Sequence, residues 1–213
     1  MPTQPYKDAA GKRIPSVTTV IGRFKEAGGL IHWAWDLGKL GIDYRQVRDD
    51  AANAGTLAHA MVEATIRGTT FPDEKKHDAE KWQKAMNAFG AFKEWMEQTQ
   101  LKPADTEVSM TCGCHRVGGT LDTILVQGKL SLGDWKTSNG VYPEYMIQLA
   151  AYRHLWTVNY PGRPLTGGSH LLRFSKAGGD FTHHYWADLS EAWAAFEHMR
   201  PLYDIMAGLK GRV

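Results

Sequence analysis

The spacing of apolar positions changes about halfway along the chain. Over roughly the first 100 residues they recur every three or four positions, the period of one helix face. Trp82, Met86, Phe89, Phe92 and Met96 predict a long amphipathic helix over 73–98, its stripe broadened by Trp95. His59, Val62, Glu63 and Ile66 share one face of a helical stretch at 44–67, in one or two pieces, closed by Gly68. A shorter helix at 30–40 carries Trp33, Trp35 and Leu37. Pro15 and Ser16 predict a helix start before Val17-Thr18-Thr19-Val20-Ile21, although that β-branched run leaves a strand open.

From about residue 101 the pattern becomes that of strands, at 105–111, 116–126 and 129–136. Pro143 then starts a helix to about Asn159, with Tyr145, Gln148, Leu149, Tyr152 and Trp156 in register. Two further strands, 169–175 and 181–187, form a hairpin across 176–180. A last helix begins at the capping-box pattern Asp188-Leu189-Ser190-Glu191 and meets Pro201 part way. The strands 116–126 and 129–136 are apolar on both faces, so the sheet should be central and covered by helices. The expected fold is α/β (α+β), one domain over 1–213. Its mainly helical part spans about 1–100 and its sheet-containing core about 101–213.

The strands flanking Gln127-Gly128-Lys129 carry the chemistry. A three-residue turn there sets Val126 opposite Leu130, Ile124 opposite Leu132 and Asp122 opposite Asp134. Lys136 returns to the same face two residues on. Two carboxylates and an ammonium then converge at the end of an apolar hairpin. Buried acids need a cationic partner, and a divalent metal is the usual one. This arrangement points to metal-assisted hydrolysis, with phosphodiesters the leading substrate. A salt bridge at a sheet end would explain Asp134 and Lys136 but leaves Asp122 unexplained. The similar Asp73-Glu74-Lys75 follows Pro72 and reads as a helix cap.

Composition limits this picture without redirecting it. Of the 213 residues, 43% are hydrophobic and 23% charged, as in ordinary globular chains. A net charge of +2 permits an anionic partner without demanding one, and a nucleic-acid binder would need that charge concentrated in a groove. Eight Trp and eight Tyr are many; some suit base stacking, most suit packing. The two cysteines, Cys112 and Cys114, are poorly spaced for a mutual disulfide, which fits a reducing compartment. Cys112-Gly113-Cys114-His115 lacks a second Cys pair to complete a zinc site, so a turn is the better reading. His183 and His184 face opposite sides of a strand and cannot chelate one ion. No apolar run reaches membrane-span length, and Met1-Pro2-Thr3-Gln4-Pro5 is no secretion signal, so a cytoplasmic location is expected.

His59 alone is weak evidence. In Gly55-Thr56-Leu57-Ala58-His59, however, the small residues allow its helix to approach another backbone closely. Gln148 and Tyr152, four apart, suit either helix packing or positioning of Lys136 and a phosphate.

Taken in order, Gly55-Thr56-x-x-His59, Gly118-Gly119-x-x-Asp122, Asp134-Trp135-Lys136-Thr137-Ser138 and Gln148-x-x-x-Tyr152 resemble the RecB-like nucleases of the PD-(D/E)XK superfamily. Pro15-Ser16-Val17-Thr18 resembles the start of its phage-encoded exonucleases and of the related mitochondrial genome-maintenance exonuclease. The resemblance implies a restriction-endonuclease-like core and DNA as substrate. It also implies Mg²⁺ or Mn²⁺ held by His59, Asp122, Asp134 and the Trp135 carbonyl. Imidazole in that set tilts the preference toward Mn²⁺. Lys136 would orient the attacking water or neutralise the developing charge, with Gln148 and Tyr152 holding it and the phosphate. Thr137, Ser138, Ser16 and Thr18 would meet neighbouring phosphates, and Arg173 and Lys176 the DNA backbone. Two features depart from the family. CRISPR-associated members carry four cysteines for an iron–sulfur cluster that two cannot supply, and Leu121 replaces the Pro of the Pro-Asp pair. The expected activity is a metal-dependent exonuclease on single strands or duplex ends, in phage recombination or repair. A flap or branched-DNA endonuclease, a silent DNA-binding module and a small-molecule phosphoesterase are the alternatives. A recombination-protein partner or a homo-oligomer is left open, and no membrane partner is expected.

Overall fold

Short polar side chains set most of the helix starts. In the computed structural model, which describes residues 5–212, Ser16 accepts a hydrogen bond from Thr19 N at 3.0 Å. That cap makes 17–22 the helix α1 (Val17–Gly22) rather than a strand. Met1 to Gln4, on which the secretion reading rests, lie outside the described residues. Next come α2 (Gly28–Lys39) and α3 (Tyr44–Arg67), the latter one piece and closed by Gly68 at φ +63°. Asp73 does cap, but it caps a single 3₁₀ turn at Glu74–Lys76. The long helix α4 (Ala79–Thr99) therefore starts later than the 73 expected, because Asp78 accepts from Glu80 N and Lys81 N.

The sheet has five strands in the order β1 (Lys102–Cys112), β2 (Val117–Val126), β3 (Leu130–Lys136), β4 (Ser169–Phe174), β5 (Phe181–Trp186). Only β3 and β4 run parallel, and α5 (Pro143–Asn159) is the crossover that such a pair requires. The chain ends with α6 (Ser190–Lys210), which contains Pro201. Its expected capping box does not form: the N-cap is Leu189, and Ser190 Oγ donates instead to Asp188 Oδ1 at 2.6 Å.

Helices cover both sheet faces. Leu149, Leu155 and Trp156 of α5 pack with α1 and Phe196 of α6 over Leu121, Ile124, Leu132 and Leu171. On the other side Met61 of α3 and Phe92 and Trp95 of α4 pack over Leu125, Trp135, Leu172 and Phe174. Removing the fully buried Phe92 ring would cost about 3–5 kcal/mol. The β2–β3 hairpin has the expected register, with Val126 across from Leu130 and Ile124 across from Leu132.

One expectation fails in the β1–β2 turn. Cys112 and Cys114 are bonded sulfur to sulfur. The turn brings their Cα atoms to 5.4 Å, within a disulfide's reach despite the short spacing. The cysteines therefore no longer argue for a reducing compartment. No described helix is long and apolar enough to cross a membrane.

Candidate active site

Continuing the hairpin register places Asp122 of β2 beside Asp134 of β3, where each carboxyl feels the other. The end of β3 then orders the site. Trp135 N donates to Asp122 Oδ2 at 2.8 Å, and Thr106 Oγ1 of β1 donates to the Asp122 carbonyl at 2.8 Å. Lys136 Nζ lies 2.5 Å from Asp134 Oδ2. From α5, Gln148 Nε2 donates to Asp134 Oδ1 at 3.3 Å and to the Tyr152 hydroxyl at 3.1 Å. The four-residue spacing on α5 thus serves the site as well as the packing.

His59 reaches the cluster from α3 because Gly55, one turn earlier, lets the helix touch the loop after β3. A Cβ at Gly55 would lie 2.6 Å from Thr137 Oγ1. The same close approach recurs at Gly119, where a Cβ would lie 2.6 Å from the Tyr152 ring. Burial and then the Lys136 charge hold the His59 pKa down at about 4, against the smaller upward pulls of Asp134 and the Trp135 backbone. The ring is a neutral donor at any ordinary pH.

Glu107 is the residue that the sequence patterns missed. It lies on β1 between the pairs Thr106–Thr123 and Val108–Leu121, hence across from Asp122, with φ +53°. Its carboxyl, a His59 ring nitrogen and an Asp122 oxygen all lie within 4.8 Å of one another. Pairing β1 with β2 in sequence would have put Glu107 opposite Asp122. The left-handed backbone at 107 was not legible.

Charge bookkeeping leaves this cluster short of cations. Burial pushes the carboxyls up, to about 7 for Glu107 and about 6 for Asp134, with Asp122 shifted the same way. Lys136 is the ammonium set among them. Burial pulls its pKa down, but Asp134 and Asp122 outweigh that, and it stays protonated. Three acids, with the Lys136 ammonium beside Asp134 and Asp122 and Arg67 acting on Glu107, plus a neutral imidazole, form an oxygen-rich donor set that suits a hard divalent cation such as Mg²⁺ or Mn²⁺.

Two clefts meet at this cluster, both lined by Glu107 and Asp122. One of about 750 Å³ includes Ser16, Thr18, Tyr6 and Arg13. The other, about 580 Å³, includes His59, Lys136, Thr137, Ser138 and Lys176. Ser16 Oγ is engaged in capping α1, whereas Thr18 is exposed. Lys176 Nζ bonds the Ala51 carbonyl at 3.1 Å at the cleft edge. Arg173 lines neither cleft: its Nε donates to the Ser138 carbonyl at 3.0 Å, and it faces Asp180 at 3.6 Å. It braces the loop that presents Thr137 and Ser138.

Comparison with known proteins agrees with this geometry. The chain resembles in structure a "Putative exonuclease" from Eubacterium rectale, with a TM-score of 0.52 and 14% identity over 75% of this chain and 69% of that one. At that identity the likeness speaks for the fold alone. No curated protein matches the chain. The family model of the PD-(D/E)XK nuclease superfamily matches residues 11–202, which include every residue of the cluster. The chain belongs to the PD-(D/E)XK nuclease superfamily.

Proposed function

We propose that this chain is a metal-dependent deoxyribonuclease that degrades DNA from ends, single-stranded or duplex, in recombination or repair of a phage genome. The observation that carries the hydrolytic part is the convergence of His59, Glu107 and Asp122, with Asp134 and Lys136 beside them, where two clefts meet. The preference for ends rests on the motif order, which resembles that of phage-encoded exonucleases.

His59, Glu107, Asp122, Asp134 and the Trp135 carbonyl would hold the divalent ion. When bound, that ion polarises the scissile phosphate and lowers the pKa of a water. Lys136 does the rest of the charge work. As an ammonium held so by Asp134 and Asp122, it would donate hydrogen bonds to the attacking water or to a phosphate oxygen. Gln148 fixes the Asp134 carboxylate, and so the reach of Lys136, by donating to Oδ1. Tyr152, whose pKa burial drives well up, remains a neutral hydroxyl available to a phosphate. Thr18 on one side and Thr137 and Ser138 on the other would contact successive phosphates along the joined clefts.

Digestion of 5′- and 3′-labelled linear DNA, single- and double-stranded, with circular single strands alongside, tests the proposal. With Mn²⁺ present, linear strands should shorten from an end while circles survive, and Asp122→Asn should be inert. Cut circles would replace the exonuclease by an endonuclease. Intact DNA under every metal would end the nuclease reading.

A further inference from the structure

The turn between β1 and β2 gathers a second set of donors with different chemistry. Cys112, Cys114 and His115 on the turn and His154 on α5 offer four ligand atoms, all within 4.8 Å of one another. Sequence counting stopped at three because the fourth ligand is 39 residues away, on a helix that the fold lays across the turn. We propose that these four side chains form a structural zinc site, separate from the carboxylate cluster.

The distances carry it. His115 Nδ1 lies 3.3 Å from Cys114 Sγ and 3.9 Å from Cys112 Sγ. His154 Nε2 lies 3.6 Å from Cys114 Sγ and 3.8 Å from Cys112 Sγ. Zinc–sulfur bonds of about 2.3 Å and zinc–nitrogen bonds of about 2.0–2.1 Å at tetrahedral angles put S and N about 3.6 Å apart. All four separations bracket that edge. The two sulfurs are now bonded and must part to about 3.8 Å, the S–S edge of the same tetrahedron. Cys114 is exposed and follows Gly113, around which a Cβ would meet nothing within 4 Å, so the turn has room to give.

The bonded state does not account for the histidines. A disulfide sulfur has no proton to donate and accepts weakly, so two imidazole nitrogens gain little by converging on it. Thiolates on a cation explain them. The surroundings are those of a ligated site as well. His115 N donates to Cys112 Sγ at 3.4 Å, a bond that favours thiolate. The His154 ring stacks on Trp193 of α6 at 4.2 Å, which fixes its plane. His115 Nε2, on the side away from the sulfurs, faces Glu197 at 3.9 Å, as ligating imidazoles commonly face a carboxylate. The site would fasten the β1–β2 turn to α5 two residues beyond Tyr152, and so steady the helix that carries Gln148 and Tyr152.

Loading requires the thiol form. A phosphine gives the S–S bond an electron pair and becomes its oxide, water supplying the oxygen and both thiol protons. Those protons leave to solvent as the sulfurs ligate.

The test uses Asp122→Asn, which disables the carboxylate cluster, purified with a phosphine and no chelator and then desalted. It should retain about one zinc per chain by elemental analysis. Titration of the metal-free form with Co²⁺ should give the strong visible bands and sulfur charge-transfer absorption of tetrahedral thiolate cobalt. Adding Cys114→Ser or His154→Asn should abolish both, and Cys114→Ser should do so with circular dichroism unchanged because Cys114 is exposed. Three results would each overturn the site: a reduced chain that keeps no zinc, a pale octahedral cobalt spectrum, or full zinc retention in the Cys114→Ser background. Nuclease assays enter none of these readouts, so the site stands or falls apart from the proposed activity.

Discussion

Glu107, Asp122 and Asp134 come together from three strands, with His59 added from α3; Asp134 is buried, and the other three line the joined clefts beside the Lys136 ammonium. Cys112, Cys114 and His115 come from one tight turn and need only His154 from elsewhere; Cys112 is buried and Cys114 exposed. The two clusters share β1, β2 and α5 yet use opposite chemistry. The first gathers hard oxygen donors whose charge burial opposes, so the fold keeps it frustrated until a cation enters. The second gathers soft sulfur and imidazole donors that can satisfy one another by bonding when no metal is present. One is therefore built to exchange ligands, the other to close.

Asp122→Asn separates them most sharply. Cleavage should fall on the order of 10³-fold, because a carboxylate that would hold the charge-stabilising ion at the reacting phosphate is lost. DNA binding and zinc content should be unchanged, and a thermal melt should show no loss, since a neutral amide is cheaper to bury than a carboxylate. Residual cleavage near wild type would dissolve the contrast between the clusters.

Lys136→Met should come next. Asp134, only 1% exposed, loses its one ammonium. Breaking a buried pair on one side costs about 3–5 kcal/mol. Urea unfolding of the metal-free variant reads this directly, and Mn²⁺ should recover part of it, because a divalent ion replaces the missing charge. A variant as stable as wild type would mean that Asp134 is protonated in the native chain.

These expectations also mark what the sequence could and could not disclose. The β2–β3 register followed from alternation and a glycine turn, both local, so Asp122, Asp134 and Lys136 were legible together. His59 was legible through its small neighbours, because close helix approach needs them. Glu107 was not, since β1 is only half covered and its polar positions carry no periodic signal. His154 escaped for another reason: nothing local ties a helix at 143–159 to a turn at 113–116, and only the crossover and sheet twist bring them together. The start of α4 was misplaced because Asp73 and Asp78 are both good caps and the chain uses each for a different turn. The box at 188–191 failed because Ser190 spends its hydroxyl on Asp188.

Acidity offers a finer division. Glu107 titrates at about 7 instead of the ordinary 4.5, through burial first and then Asp122 and Glu63. Metal entering the carboxylate cluster must displace that proton below about pH 7. Mn²⁺ affinity should rise by up to about tenfold per pH unit until near 7 and then level off. In Glu107→Gln the levelling should move down toward about 6, where Asp134 titrates. The metal-free chain should change in the opposite sense. The native Glu107 keeps a proton that the unfolded chain releases from about pH 4.5 upward, so stability falls as pH rises toward 7. His59, held down at about 4, opposes this between about 4 and 6.5, which leaves the decline clearest above that window. Calorimetric titrations at several pH values check both halves, and a pH-independent Mn²⁺ affinity would remove Glu107 from the ligand set.

The smallest effect tests how the first cluster is assembled. Gly→Ala inside a helix ordinarily stabilises by about 1 kcal/mol. At Gly55 the new methyl would meet Thr137 Oγ1 at 2.6 Å, so α3 must back away or the threonine must turn. Either response shifts His59 or the loop at 137–138 by a few tenths of an ångström, and cleavage should drop about fivefold with little change in melting temperature. In a Thr137→Ala background the methyl has room. There Gly55→Ala should leave cleavage at the level of Thr137→Ala alone and show the ordinary helical stabilisation. An equal drop in both backgrounds would mean that the contact between α3 and the loop after β3 does not place His59. Zinc content at the distant turn should stay constant throughout, because no part of that cluster depends on α3.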